Sequence, residues 1–267
     1  TLTIGAAVQN VGTYAFQNCS GLTTLYYNAD SCIALGTYNQ HAFAGCDQLS
    51  TLIVGDNVKY LPTDAFYNRT GLTTVTIGET LERIGSYAFE NCTGLTTVTL
   101  GGSVAVIGSG VFSGCTNLSA INIPSSVTSI GYSAFLRCRA LTSITIPSSV
   151  QSIAQDAFKE CSGLTSVVFN ADSCHMGNTP FCYAGNQCSL TIGGNVKTIR
   201  NGAFKLFSGM RSVTFGNTVQ TIGSDAFWGC DGLVSVNYLG DTSDWLSIDF
   251  ANYDANPLWC AHHLYIN

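Results

Sequence analysis

The chain has 267 residues, of which only 10% are charged and 46% hydrophobic, and its net charge is −6. So little charge beside so much apolar material excludes disorder, and the lack of any basic run disfavours nucleic acid or an anionic membrane surface as partner. No stretch of 18 apolar residues is present, so no membrane insertion of this segment is predicted.

In chain order, Thr1-Leu2-Thr3-Ile4 already alternates like a strand, and the chain ends on Leu264-Tyr265-Ile266, a second strand pattern. Both ends read as cut from a longer protein, so targeting and anchoring signals are expected to lie elsewhere. Between them runs a fixed period. Phe43, Phe66, Phe89, Phe112, Phe135, Phe158, Phe181, Phe204, Phe227 and Phe250 are 23 residues apart, and Phe16 precedes them with four extra residues before Phe43. A period of this length marks a solenoid, in which each repeat buries its apolar face only against its neighbours. Residues 1–267 therefore read as a single domain of about eleven repeats.

Each repeat has the same internal order. A short strand comes first, with inward columns such as Leu25, Leu52, Val75, Val98 and Ile121, and two places on Tyr27, Val54 and Ile77. Gly or Pro then ends the strand. A small polar residue follows two places later (Asp30, Asn57, Thr80, Ser126, Ser149, Asp172, Thr218), suited to bonding turn backbone. A second apolar pair, as in Val127 and Ile130, leads into Ala-Phe, as in Ala134-Phe135.

The unit C-x-x-L-x-x-V/I-x-I-P-x-S-V-x-x-I-G-x-x-A-F, clean from Cys115 to Phe135 and repeated from Cys138 to Phe158 with Ala154 in place of the Gly, resembles the BspA-like class of leucine-rich repeats. The resemblance covers nearly the whole chain. It implies a right-handed leucine-rich repeat superhelix with a parallel β-sheet on the concave face and short strands, turns or 3-10 segments on the convex side. It also implies an extracellular or cell-surface protein of host-associated microbes, whose relatives are regarded as adhesins or binders of host proteins.

Three places depart from the rhythm, at 28–43, 170–188 and 238–267. The first two share Asn-Ala-Asp-Ser-Cys (Asn28–Cys32 and Asn170–Cys174), where an irregular segment is expected in place of the second apolar pair. Shared ancestry and structure is the favoured reading of this duplication over a functional feature. In the third, Phe250 is read as keeping the phase, and Trp245 and Trp259 are assigned to the core, against the alternative of an aromatic shelf for a ligand.

Twelve cysteines invite a chemical reading. Seven occupy one slot three residues after Phe: Cys19, Cys46, Cys92, Cys115, Cys138, Cys161 and Cys230. The same slot holds Arg69, Ala184, Phe207 and Tyr253, so it asks for packing, and a ladder of free, buried thiols is predicted. Cys32, Cys174, Cys182, Cys188 and Cys260 lie off the column. If a disulfide exists, it is expected among Cys174, Cys182 and Cys188. Cys260, His262 and His263 cluster too closely in sequence to make a metal site. His41 and His175 have no matched partners. No column gathers acids and histidines, no Ser sits in G-x-S-x-G, and neither catalytic residues nor a cofactor is assigned.

The outward strand positions are different. Tyr26, Ile53, Thr74, Thr76, Thr97, Thr99, Asn122, Thr145, Val168 and Asn237 form an uncharged, hydroxyl-rich strip on the concave face. Threonine suits exposed strands in any case. The strip also fits an extracellular protein or glycan ligand, with Tyr26, Ile53 and Val168 as anchors. The functional expectation is a non-enzymatic surface recognition or adhesion module, with a rigid spacer displaying another domain as the alternative. Ice binding by the T-x-T strands is a weaker third, because Tyr26, Ala120 and Val168 interrupt the face. End-to-end self-association is expected where open coils leave strand edges and apolar columns uncovered. Four N-x-S/T sequons, at Asn18, Asn68, Asn91 and Asn117, are read as part of the repeat, since three share one slot.

Overall fold

The computed structural model describes residues 1–37, 40–261 and 263–266. It is a β-solenoid. Strands Leu2–Ile4, Thr24–Tyr27, Thr51–Val54, Thr74–Ile77, Thr97–Thr99 and Ala120–Ile121 form one parallel ladder. Ser143–Ile146, Ser166–Phe169, Cys188–Ile192, Met210–Phe215, Ser235–Tyr238 and His263–Ile266 form the next. The two are joined where Thr142 N–H donates to the Ser119 carbonyl at 3.2 Å. Together they make the principal sheet. Its register follows the inward columns, as in Leu25↔Leu52↔Val75↔Val98↔Ile121, all buried.

A second face carries two-residue strands, from Tyr60–Leu61 through Arg83–Ile84, Val106–Ile107, Ser129–Ile130 and Ser152–Ile153 to His175–Met176. The Asn-Ala-Asp-Ser-Cys segments are therefore more regular than the sequence suggests. Ala171, Cys174 and Met176 take inward positions and His175–Met176 pairs with Ser152–Ile153. The Asp of each copy does the same work on the following coil. Asp30 accepts from Lys59 N–H at 2.9 Å, and Asp172 accepts from Lys197 and Thr198 N–H, both at 2.8 Å. Because Asp172 takes the Thr198 N–H, the second face breaks there and restarts as Thr198–Ile199, Thr221–Ile222 and Asp249–Phe250. The four extra residues before Phe43 lie around a small hairpin, Gly36–Thr37 against Gln40–His41.

The Ala-Phe turns form the third side. Here the residues two before and two after Phe adopt positive φ, for example Asp64 (55°), Asn68 (58°), Tyr87 (58°) and Asn91 (57°). In the turns at Phe66, Phe89, Phe112, Phe135, Phe158 and Phe204 three N–H groups then reach the next coil. Asp64, Phe66 and Asn68 donate to the carbonyls of Ser86, Ala88 and Glu90 at 3.0, 2.7 and 2.7 Å. The slot of Asn18, Asn68 and Asn91 is thus a left-handed position that Asn tolerates well, which is why three sequons share it.

Inside, phenylalanines stack on one another from Phe16 to Phe181 with centroids 5.0–5.9 Å apart, the range of offset aromatic stacks. The Phe181–Phe204 step is tilted at 6.0 Å because Phe207, in the cysteine slot, also stacks on Phe181 at 5.4 Å. The stack ends at Phe227, and Phe250 does not continue it. In the last coil the register offset grows from 23 to 28, as in Ser212↔Ser235↔His263. Phe250 falls beside Ile222 on the second face, and Ala255 follows Phe227, whose N–H donates to the Asp254 carbonyl. Trp245 is buried against Phe215, Tyr238 and Phe250, as the sequence implies. Trp259 is 68% exposed, so its assignment to the core is overturned.

All twelve cysteines are free, including Cys174, Cys182 and Cys188. Of the seven in the repeat slot, all but Cys19 are buried. Their role exceeds packing. Each buried thiol donates to a phenylalanine carbonyl of the preceding coil: Cys46 to Phe16, Cys92 to Phe66, Cys115 to Phe89, Cys138 to Phe112, Cys161 to Phe135 and Cys230 to Phe204, at 2.9–3.2 Å. Burial pushes the Cys92 thiol up to about 12, which keeps it protonated as a donor. Arg69 fits the slot by the same rule, its guanidinium donating to the Phe43 carbonyl and, at 3.2 Å, to that of Tyr67. Cys260 joins the ladder, reaching the Phe227 carbonyl at 3.7 Å, although its sequence phase places it outside.

Two outcomes test this account. Phe135→Ala, which removes a fully buried ring between two stacked neighbours, is expected to cost about 3–5 kcal/mol in urea denaturation. Arg69→Cys is expected to hold or raise stability by keeping a donor on Phe43 without burying a cation. Arg69→Ala removes both donors and is expected to cost about 1–3 kcal/mol.

Candidate recognition surface

On the principal sheet the outward side chains form a column of paired neighbours: Thr3, Tyr26, Ile53, Thr76 and Thr99, then Thr145, Val168, Thr191, Thr214, Asn237 and Tyr265. Thr74 and Thr97 pair in the parallel column beside it. Asn122 lies just past the paired residues Ala120–Ile121 and is exposed. Tyr26, Thr76, Thr97, Thr99 and Thr145 are exposed as well, and Ile53, Thr74, Val168 and Asn237 are half-buried. No residue of these columns is acidic, and His263 at the final strand is the one titratable imidazole among the described residues there; His262 lies outside them.

The hydroxyls along this face fall into two sets. At the strand starts, Ser50, Thr73, Thr96, Thr142 and Thr165 donate to a carbonyl of the preceding coil, at 3.0–3.4 Å. Those groups are consumed in holding the coils together. The side chains of Thr74, Thr76, Thr97, Thr99, Asn122, Thr145 and Asn237 make no hydrogen bond within the protein among the described residues, and so remain available to a ligand. Tyr26 and Ile53 are adjacent and make one apolar spot. Val168 is five coils from Ile53, roughly 24 Å at the strand spacing, and does not join it. Tyr265 was missed as a surface residue, although Leu264 and Ile266 on either side face inward and the alternation alone would have turned it out.

The ion pairs among the described residues lie on the turn side, away from this strip. Arg137 pairs with Glu160 at 2.9 Å and holds its carboxyl below the usual range, and Lys205 pairs with Asp225 at 3.3 Å. His41 is buried in the hairpin and stacks on Tyr67 with centroids 5.2 Å apart. Burial, then the positive charge of Arg69, lowers its pKa, while Asp64 opposes the shift. Among the described residues no group of three or more His, Cys, Asp or Glu is placed to hold a metal ion, and no helix is long and apolar enough to cross a membrane.

Two concavities stand apart from the sheet. One, of about 360 Å³, lies where the second face breaks and is lined by His175, Thr198, Arg200, Asn201 and Asp249 among others. The other, of about 520 Å³, is bounded by Phe250, Asn252, Tyr253, Asn256, Leu258 and Trp259.

The family model described as BspA type leucine rich repeat region matches residues 1–115, 36–165 and 129–254. Among solved structures, the chain is similar to a leucine-rich repeat protein of T. pallidum, with 25% identity over 68% of this chain and 77% of that one and a TM-score of 0.52. It is also similar to a leucine rich cell surface protein of Faecalibacterium prausnitzii A2-165, at 19% identity, 100% and 89% coverage and a TM-score of 0.42. A third, from Bacteroides ovatus, shares 18% identity over 91% and 82% with a TM-score of 0.38. None of the curated proteins matches the chain.

The lowered His41 pKa gives a signed expectation. Above the ordinary imidazole range His41 is neutral in both states. As the pH falls from about 6.5, the unfolded chain takes up the proton first. The stability contributed by neutral His41 is then lost progressively as the pH falls through the folded pKa. His41→Phe should remove that part of the acid sensitivity in thermal melts between pH 7.5 and 5, leaving a flatter profile than wild type.

Proposed function

The chain belongs to the BspA-type leucine-rich repeat family, and from that premise we propose that it is a non-enzymatic, surface-exposed recognition or adhesion module binding an extracellular protein or glycan along the principal sheet. Repeat proteins of this kind are generally interaction or surface modules and typically serve as binding scaffolds rather than enzymes. The observation that carries the reading is the division of labour among the hydroxyls. Those at the strand starts are tied to the preceding coil, while Thr76, Thr99 and Thr145 at the outward centre have no protein partner. A broad neutral face offers many hydrogen bonds and little steering by charge. Binding energy then concentrates in a few apolar or aromatic side chains, for which Tyr26, 39% exposed, and the adjoining Ile53 are the candidates.

A rigid spacer is the second reading, favoured by one core that runs unbroken from Ile4 to Ala261. The two separate on a single comparison. Immobilised extracellular-matrix proteins should retain the wild-type chain and release Tyr26→Ala/Ile53→Ala, with at least about a tenfold loss of affinity at unchanged melting temperature. Equal retention of the double variant would remove those anchors, and no retention of either chain would favour the spacer.

A further inference from the structure

The last coil departs from the repeat both in length and in what it turns outward. Its register offset of 28 adds five residues over the usual 23. They enter between Tyr238 and Asp249, around the short α-helix Thr242–Leu246, because the offset is already 28 at Asp249. The coil then turns through two single 3-10 turns, Tyr253–Ala255 and Pro257–Trp259. Ala255 and Pro257 face inward and are buried. Tyr253 and Trp259 face outward, 80% and 68% exposed, the former the most exposed large hydrophobic side chain among the described residues. Their ring centroids are 5.8 Å apart with planes inclined at 41°. They form two walls of the 520 Å³ cleft, with Phe250 and Leu258 completing its apolar surface.

The frame that holds these rings is bonded in place. Asn252 is locked to Asp225 at both ends of its amide, accepting from the Asp225 N–H at 3.1 Å and donating to its carboxylate at 2.9 Å. The Asn256 side-chain oxygen accepts from Leu258 N–H at 2.9 Å, which directs its remaining amide NH₂ without a partner in the protein. Tyr and Trp offer large, rigid contact area with few torsions to freeze. All six lining residues are uncharged, so neither an anion nor a cation finds a counter-charge there. Apolar ring faces beside amides match a ligand that is apolar on its C–H faces and hydroxylated at its edge.

We propose that this cleft is a binding site for a neutral oligosaccharide, with Tyr253 and Trp259 stacking on pyranose faces and Asn256 hydrogen-bonding a sugar hydroxyl. Its volume lies in the range of small-molecule sites, about 300–1,000 Å³. The site is separate from the sheet column, so it stands or falls independently of Tyr26 and Ile53.

The test uses the full chain carrying Trp228→Phe, which leaves Trp259 as the exposed indole beside the buried Trp245. Maltohexaose, cellohexaose and mannohexaose are titrated while tryptophan emission is followed. At least one should give a saturable quench or blue shift. Tyr253→Ala should weaken that binding at least tenfold, and Trp259→Ala, followed by calorimetry, should abolish it. Tyr26→Ala/Ile53→Ala should leave it unchanged. Because Tyr253 and Trp259 are exposed, melting temperatures should not move, and a parallel melt confirms that lost binding is not lost folding. The proposal is overturned if none of the three sugars responds, if the affinity survives both cleft substitutions, or if a proline-rich decapeptide saturates the cleft while the sugars do not.

Discussion

Parallel pairing at a 23-residue offset puts each side chain roughly 4.8 Å from its counterpart in the next coil. Most of the molecule follows from that spacing. A side chain is admitted to a column only if it can lie on a copy of itself. Phenylalanine can, because offset rings attract. Branched aliphatics can, because they interlock on a pleated surface. A cysteine can, because its thiol donates to the Phe carbonyl below rather than to the next thiol. Like charges are disfavoured: at this spacing each pair costs about 1 kcal/mol even in water. The low charge content of the chain is therefore a consequence of its architecture. Arg137 and Glu160, 23 residues apart, are opposite in sign and pair, whereas the like-charged Asp56 and Glu79 each turn a carboxylate oxygen to a backbone N–H of the following coil, that of Glu79 and that of Gly102.

The same spacing accounts for the turn side. Backbone N–H groups there reach the next coil only if the chain takes a left-handed residue on each flank of the Phe. Gly45 and Gly114 do this without strain at φ 70° and 72°. They also leave room for the amides of Asn18 and Asn91 in the coil before, since a Cβ would come within 2.1 and 2.3 Å of the amide oxygens. At Arg137, Glu160, Tyr183 and Leu206 a full side chain accepts the left-handed cost, about 1–2 kcal/mol each, which the coil-to-coil hydrogen bonds and the buried stack offset.

The legible part of the sequence was the part where coil length is constant. Counting from Phe placed the inward columns, the thiol column and the outward strip, because a fixed residue offset is then a fixed position in space. It failed where length changes. Phe250 sits at a multiple of 23 by coincidence, while five inserted residues move the Phe position to Ala255 and the cysteine slot to Leu258, and Cys260 reaches the Phe227 carbonyl from two places further on. Trp259 was assigned inward on its apolar character, yet Ala255 and Pro257 already fill the space below. The left-handed positions were hidden for another reason. Asn, Gly, Asp, Tyr, Arg and Leu share no side-chain property, and the column is defined by backbone angle alone.

A strictly periodic face offers the same group at every coil, so no coil is distinguished from the next. Thr76 and Thr99 present one hydroxyl each at equivalent points, and a ligand bound to one could slide to the other at no cost. Discrimination has to come from positions where a column changes character. On the sheet these are Tyr26 with Ile53, then Val168, then Tyr265 at the final strand. Beyond the sheet it is the last coil, where two single 3-10 turns present two aromatic rings outward beside the bonded amides of Asn252 and Asn256. The regular core makes those exceptions effective, because a stack that buries each ring against two neighbours gives them a rigid base, and a rigid base lowers the entropy lost on binding.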